Sequence, residues 1–147
     1  MSNNIKEILC AHDAVKFATD AGTDMHNRLG RIVIANDAEH GDPDLIAKIK
    51  SVPKLAELFS ADSMVEVPIA GNINGHFASR RIDRLLVYDK AKTVYVLDYK
   101  TDTIPDNFRE HYIAQLREYA ALLRQIYPEY KICCFILWTH NWSLESI

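Results

Sequence analysis

Arg81-Ile82-Asp83-Arg84-Leu85-Leu86-Val87-Tyr88, and then, beyond Asp89 to Lys92, Thr93-Val94-Tyr95-Val96-Leu97-Asp98-Tyr99-Lys100, decide the fold of this chain. Both runs are rich in β-branched and aromatic residues, the composition of paired strands. Residues two apart on a strand share a face, so Val94, Val96, Asp98 and Lys100 point one way and Thr93, Tyr95, Leu97 and Tyr99 the other. Two valines followed by two charges carry the first face from core to polar edge. Both faces hold apolar residues, which suits a sheet covered on both sides.

The connection fixes the register. A two-residue loop of Lys90-Ala91 sets Asp89 opposite Lys92, and a four-residue loop sets Tyr88 opposite Thr93; both give the same pairing. Asp83 then falls opposite Asp98 on one face, with β-carbons about 5 Å apart. Two carboxylates that close repel unless one is protonated or a cation lies between them. Hard oxygen ligands suit Mg²⁺ or Mn²⁺. Such an ion activates water and neutralises charge on a phosphoryl oxygen, while Lys100 can position or deprotonate the water and steady an anionic transition state. The same residues also fit a surface salt bridge among Asp83, Arg84, Asp98 and Lys100, and spacing alone does not separate the two.

Upstream, Asn4 to Thr19 carries Ile5, Ile8, Leu9, His12, Val15 and Phe17 at rough helical spacing, and Gly22 breaks the run. A helix is expected from Thr23, as N-cap, to about Ala35, with Met25, Leu29, Ile32 and Val33 as its buried stripe. Ala38 to Asp44 holds Gly41 and Pro43 and reads as a loop. Short helices follow at Asp44 to Ser51 and at Pro53 to Ser60, the second opening on its proline. Met64 to Ile69 is strand-like, Gly71 to Gly75 is a turn cluster, and His76 to Tyr88 is the next strand.

After Pro105 a helix is expected from about Asn107 to Tyr127, with Tyr112, Ile113, Leu116, Tyr119, Ala120, Leu123 and Tyr127 as its stripe and Pro128 ending it. Ile132 to Thr139 and Ser143 to Ile147 read as last strands. The expected fold is α/β or α+β. A central mixed sheet, built as a three-strand antiparallel meander, a helix and a further strand, is flanked by helices.

A chain of 147 residues suits one domain that buries roughly two-thirds of its unfolded surface. No apolar run approaches the roughly 18 residues that span a bilayer, and the polar start, Met1 to Glu7, lacks a signal peptide's apolar core. A cytoplasmic protein without a membrane partner is expected. Cys10, Cys133 and Cys134 form neither a disulfide framework nor a zinc pattern. The last two lie in the apolar run from Ile132 to Trp138 and read as small buried hydrophobes. The net charge of −3 counts against a non-specific nucleic-acid coat, so any such contact must be focused or supplied by metal or a partner.

Taken together, Glu66-Val67-Pro68-Ile69, Arg81-Ile82-Asp83-Arg84-Leu85 and Val96-Leu97-Asp98-Tyr99-Lys100-Thr101-Asp102 resemble the RecB-like branch of the PD-(D/E)XK nuclease superfamily. The likeness continues through Gln115-Leu116-Arg117-Glu118-Tyr119, Tyr127-Pro128 and Leu137-Trp138-Thr139. Within that branch the chain is most similar to the C-terminal nuclease domain of the AddA helicase-nuclease, from about Gly22 to its end. D-Y-K-T-D with an upstream R-I-D-R and a downstream Q-x-x-x-Y is a specific combination; no single piece is.

The resemblance implies a restriction-endonuclease-like core and a set of roles. His26, Asp83, Asp98 and the backbone carbonyl of Tyr99 match metal ligands, and Lys100 the catalytic lysine. Gln115 and Tyr119 match the auxiliary motif; four residues apart, they share a helix face that can reach DNA backbone or the lysine. His26 and Tyr119 also suit a satisfied core histidine and a core aromatic. Glu66 either supports the acid cluster or pairs with an arginine. Arg84 either contacts DNA or stabilises the acids, and Arg81 is grouped with it as support or substrate contact. His12, His40, His76, His111 and His140 show no ligand spacing.

The chain departs from the family at Arg80, where glycine is usual. Arg80 either adds a phosphate contact or crowds the substrate path. No G-x-x-x-x-G-K-[ST] loop occurs, so no motor is encoded. The implied activity is a Mg²⁺- or Mn²⁺-dependent deoxyribonuclease, an exonuclease on DNA ends or single strands in repair and recombination. DNA is the implied partner, with a helicase or AddB-like subunit in trans. The competing expectation is a catalytically weak or inactive DNA-binding or assembly module that keeps the nuclease fold, favoured by the acidic charge and Arg80. A weaker third is a metal-binding domain with no nucleic-acid role.

Overall fold

A computed structural model describes residues 24–35, 39–101 and 106–147. In chain order the elements are helix α1 (24–30), strands β1 (Val33–Ile34) and β2 (Glu39–His40), and helices α2 (Pro43–Lys50) and α3 (Pro53–Leu58). Strands β3 (Met64–Ile73), β4 (His76–Tyr88) and β5 (Thr93–Lys100) follow, then helix α4 (Asp106–Ile126) and strands β6 (Lys131–Trp138) and β7 (Ser143–Ser146). The five long-range strands form one sheet in the order β3-β4-β5-β6-β7. Only the β5–β6 pairing is parallel, and α4 makes the crossover between those two strands. The fold is therefore α/β with a mixed sheet flanked by helices, as the strand pattern predicts.

Helices cover both faces of β5. On one side Leu97 and Tyr99 pack with Leu29 and Ile32, with Leu45, Ile46 and Ile49 of α2, and with Leu55 and Leu58 of α3. On the other, Val94 and Val96 pack with Leu116, Tyr119, Ala120, Leu122 and Leu123 of α4. Each leucine fully buried this way contributes about 2 kcal/mol. Of the stripe expected of α4, Leu116, Tyr119, Ala120 and Leu123 form its buried face with Leu122 added, Tyr112 packs at the edge, Tyr127 lies just past the helix end, and Ile113 stays outside the core. Cys134 joins that core, Cys133 is half-buried, and burial pushes the Cys134 thiol up to about 12. His40, His76, His111 and His140 are exposed.

The β4–β5 connection takes the four-residue form. Tyr88 pairs with Thr93, Asp89–Ala91 makes a 3₁₀ turn, and Lys92 closes it in the left-handed region at φ 47°. At the other end of β4 the turn cluster is narrower than expected. β3 runs on through Gly71 and Asn72 to Ile73, which pairs with His76. Only Asn74 (φ 51°) and Gly75 (φ 81°) form the turn, and two consecutive positive φ angles match the twist of a tight hairpin.

The helix expected from Thr23 to Ala35 is shorter. It stops at Gly30, and Val33–Ile34 pairs antiparallel with Glu39–His40, two residues that had read as loop. Glycine weakens a helix end, and three successive β-branched residues, Ile32 to Ile34, favour extended backbone. Leu29 and Ile32 keep their place in the core, but Val33 is only half-buried. Asp42 caps α2, accepting from Asp44 N at 2.9 Å, and α2 and α3 open one residue earlier than, and at, the expected positions. The helix expected over Asn4 to Thr19, Cys10, His12 and the Thr23 cap lie outside the described residues. Among the described residues no helix is long and apolar enough to cross a membrane.

Candidate active site

The sheet changes phase at the point where the acids gather. Ile82 and Leu85 both pack on the α4 side, although strict alternation puts residues three apart on opposite faces. The β3–β4 register is the same on either side, Val65 with Arg84 and Val67 with Ile82. Between those pairs, Glu66 stands at φ 53°, a conformation that costs a non-glycine residue of order 1 kcal/mol. Glu66 and, across from it, Asp83 and its neighbour absorb the slip. The β4–β5 ladder runs from Tyr88 and Thr93 to Arg84 and Leu97 and stops there.

Asp83 sits in the gap where β4 and β5 part. Its Oδ2 accepts the Tyr99 N–H at 2.9 Å, taking the place of a ladder carbonyl. From the α1 side, His26 Nε2 lies 3.7 Å from the same oxygen and donates to the Tyr99 carbonyl at 2.9 Å. A carbonyl only accepts, so Nε2 carries the proton. From the α4 side comes Asp98, whose side chain is 4% exposed. Burial first, then the Asp98 charge and a hydrogen bond with the Asp98 carboxyl, push the Asp83 carboxyl from 3.8 up to about 8; the Tyr99 N–H and Lys100 pull the other way.

Lys100 Nζ forms an ion pair with Asp98 Oδ2 at 2.8 Å, and among the described residues that buried oxygen has no aligned hydrogen bond. Nζ also donates to Gln115 Oε1 at 3.2 Å and sits 4.2 Å over the ring of Tyr112. The expected residues are thus brought together in pairs around one break in the sheet. Among the described residues, no three His, Cys, Asp or Glu side chains already converge on a single point.

The donor set nonetheless suits a hard divalent cation. Half-buried Asp83, held far above its ordinary pKa, adjoins buried Asp98, whose Oδ2 has Lys100 as its ion-pair partner. Asp83, Asp98 and the Tyr99 carbonyl are the groups that would hold such an ion, and His26 would join them through Nε2 only by releasing the proton it now donates to that carbonyl.

Other expected residues fall elsewhere. Arg84 is a correction: it is buried, faces α1 to α3, and touches neither surface nor acid pair. Its Nε donates to Tyr99 Oη at 2.9 Å, Nη1 to Ser63 Oγ at 2.6 Å, and Nη2 to the carbonyls of Leu29 and Ile32 at 3.0 and 3.2 Å. The guanidinium also stacks 4.1 Å from the Phe59 ring. It ties the end of α1, the helix that carries His26, to β5. Burial pushes the Tyr99 hydroxyl up to about 12 against the pull of Arg84, so Tyr99 stays a neutral acceptor.

Glu66 pairs with Arg81 at 3.6 Å, both well exposed, rather than with the acids. Arg80 is engaged on the α4 side, donating from Nε to Glu118 at 2.9 Å and from Nη1 to the Ser79 carbonyl. Tyr119 is a core aromatic, its hydroxyl donating to the Arg81 carbonyl at 3.2 Å, two residues before Asp83, and burial raises its pKa. Gln115 alone of the auxiliary pair reaches the lysine.

Sequence reasoning missed Tyr112 and the structural role of Arg84. The signal for Tyr112 was its position three before Gln115 on one helix face. For Arg84 it was the register itself, which sets Arg84 opposite Leu97 on the far face. No family model matches the chain, and no curated protein matches it.

Proposed function

We propose that this chain is a divalent-metal-dependent deoxyribonuclease on a restriction-endonuclease-like core, with Asp83, Asp98 and Lys100 at its centre. The observation that supports it best is the pair of adjoining carboxyls, with one lysine between them and solvent, at the break between β4 and β5. A half-buried acid with a pKa of about 8 stands beside a buried second acid that is ion-paired with the lysine, and Gln115 holds that lysine. Two adjoining carboxyls with only one lysine to offset them, one of them pushed to a pKa of about 8, are the kind of arrangement found where sites bind cations or do acid–base work.

Mg²⁺ or Mn²⁺, when bound, supplies Lewis acidity toward a phosphoryl oxygen and a water of lowered pKa. The chain's own residues supply the rest. Asp83 and Asp98 bring negative charge that a cation neutralises. Lys100, only 15% exposed, presents an ammonium beside the acids, where it can orient a water and offset charge on a phosphate. Gln115 holds that ammonium from α4, and Tyr119 holds β4 at the Arg81 carbonyl. Arg80, already engaged by Glu118, is not a spare phosphate contact. We read the substrate as DNA ends or single strands and the setting as cytoplasmic repair or recombination, with any helicase motor supplied in trans.

Cleavage of end-labelled linear and circular DNA with Mg²⁺, Mn²⁺ or chelator tests the proposal. Divalent-ion-dependent cleavage of linear DNA that is lost in Lys100→Ala is the expected result. Equal behaviour of wild type and Lys100→Ala overturns it. Salt-sensitive binding without cleavage would assign the chain to the non-catalytic class instead.

A further inference from the structure

We propose that Tyr112 is a positioning residue that holds the Lys100 ammonium by the face of its ring. Among the described residues, Lys100 Nζ meets Asp98 Oδ2 at 2.8 Å, Gln115 Oε1 at 3.2 Å, and the centre of the Tyr112 ring at 4.2 Å. The first two are oxygens. The third is an aromatic face, whose negative quadrupole attracts a cation within about 6 Å. That attraction is strongest where water is kept away, and the Lys100 side chain is only 15% exposed.

The ring is itself fixed. Tyr112 and Gln115 lie three apart on α4, one helical turn, so a single helix face delivers both contacts. Behind Tyr112 stands Trp138, ring centres 6.2 Å apart at 54°. Trp138 is the strand partner of Lys100 across β5 and β6, and its Nε1 donates to Glu145 Oε2 at 2.9 Å. Strand β6 thus supports the ring that faces the lysine of strand β5. Deleting the ring leaves Nζ its two oxygen partners and opens the third side, so the ammonium gains freedom at the end of a flexible four-carbon stem.

The effect on turnover rests on Lys100 being the catalytic lysine; the hold on its ammonium does not. Two variants separate ring from hydroxyl: Tyr112→Phe keeps the aromatic face, and Tyr112→Leu keeps apolar bulk without it. Full-length protein is labelled with acetic anhydride, and the acetylation rate at Lys100 is read by mass spectrometry relative to exposed Lys131. Tyr112→Leu is expected to raise that ratio at least threefold, with Tyr112→Phe within a factor of 1.5 of wild type, on the order of magnitude set by a desolvated cation–π contact. In DNA cleavage, Tyr112→Leu is expected to lower kcat roughly tenfold at unchanged KM and unchanged Mn²⁺ affinity, with Tyr112→Phe close to wild type.

An unchanged ratio in Tyr112→Leu overturns the proposal, as does equal acceleration at every lysine or an equal rise in Tyr112→Phe. A raised ratio in Tyr112→Leu alone, in a protein whose Lys100→Ala variant cleaves like wild type, supports the positioning role and overturns the nuclease reading.

Discussion

Arg84 and Asp98 are both buried charges in the same sheet, and they are treated in opposite ways. On the α1–α3 side, Arg84 has four hydrogen-bond contacts to protein oxygens and a stacked ring. On the α4 side, Asp98 has an oxygen with no aligned hydrogen bond among the described residues, beside an Asp83 held at a pKa of about 8 and a lysine as its ion-pair partner. The guanidinium is satisfied by the fold and serves the fold. The acids share one backbone N–H and one lysine between them, and the strain of that arrangement shows in the raised Asp83 pKa. Burial is common to both; the completeness of their hydrogen bonding is what differs, and it is the ground on which we assign one to the fold and propose chemistry for the other.

Replacing members of each set should break the molecule in different ways. Lys100→Ala carries the largest expected effect: a loss of about 10³-fold in metal-dependent cleavage rate, the scale on which one aligned charged or hydrogen-bonding group acts. Its melting temperature should also fall by several degrees, since buried Asp98 loses its counter-ion and Gln115 Oε1 its donor. Arg84→Ala should act on stability alone, with urea denaturation losing about 3 kcal/mol, because four acceptors lose their donor and a cavity opens over Phe59. A stable, inactive Arg84→Ala would assign Arg84 to the chemistry and dissolve the contrast.

Asp83 gives a pH signature of comparable size. Its acid form persists in the folded chain up to about pH 8, whereas the unfolded chain loses that proton near 3.8. The folded state therefore binds more protons in between, and the stability this proton provides is complete below about 4 and is lost as pH rises toward 8. With chelator present, wild type should lose about 4 kcal/mol between pH 5 and pH 8 relative to Asp83→Asn, which lacks this titration. Saturating Mn²⁺ should remove the difference in the wild type by compensating the charge. The smallest expected effect belongs to Tyr99→Phe. It removes the acceptor of Arg84 Nε, costs about 1 kcal/mol in urea denaturation, and leaves cleavage within twofold, because the groups it takes from the acid pair's side are backbone.

Much of this was legible in the sequence. The β-branched runs and the hairpin fixed which residues of β4 and β5 meet, and the structure keeps that register from Tyr88–Thr93 to Arg84–Leu97. The stripe of α4 was equally plain, because seven apolar residues at helical spacing have one way to be buried. The phase slip at Glu66 was not legible. Nothing about a glutamate in a strand announces a left-handed φ, and without it alternation keeps Ile82 and Leu85 apart. The end of α1 at Gly30 was missed because Ile32 continues the helical stripe by number while belonging to an extended segment. Arg84 was misassigned because its neighbours in sequence are acids, although its neighbours in register are apolar.

The claim that unites these contrasts is that Asp83 and Asp98 form a cation site. Isothermal titration of Mn²⁺ into wild type and Asp98→Asn at pH 8 tests it most directly. Saturable binding by the wild type, weakened at least tenfold in Asp98→Asn, is the predicted result. No binding by either, or equal binding by both, would contradict it.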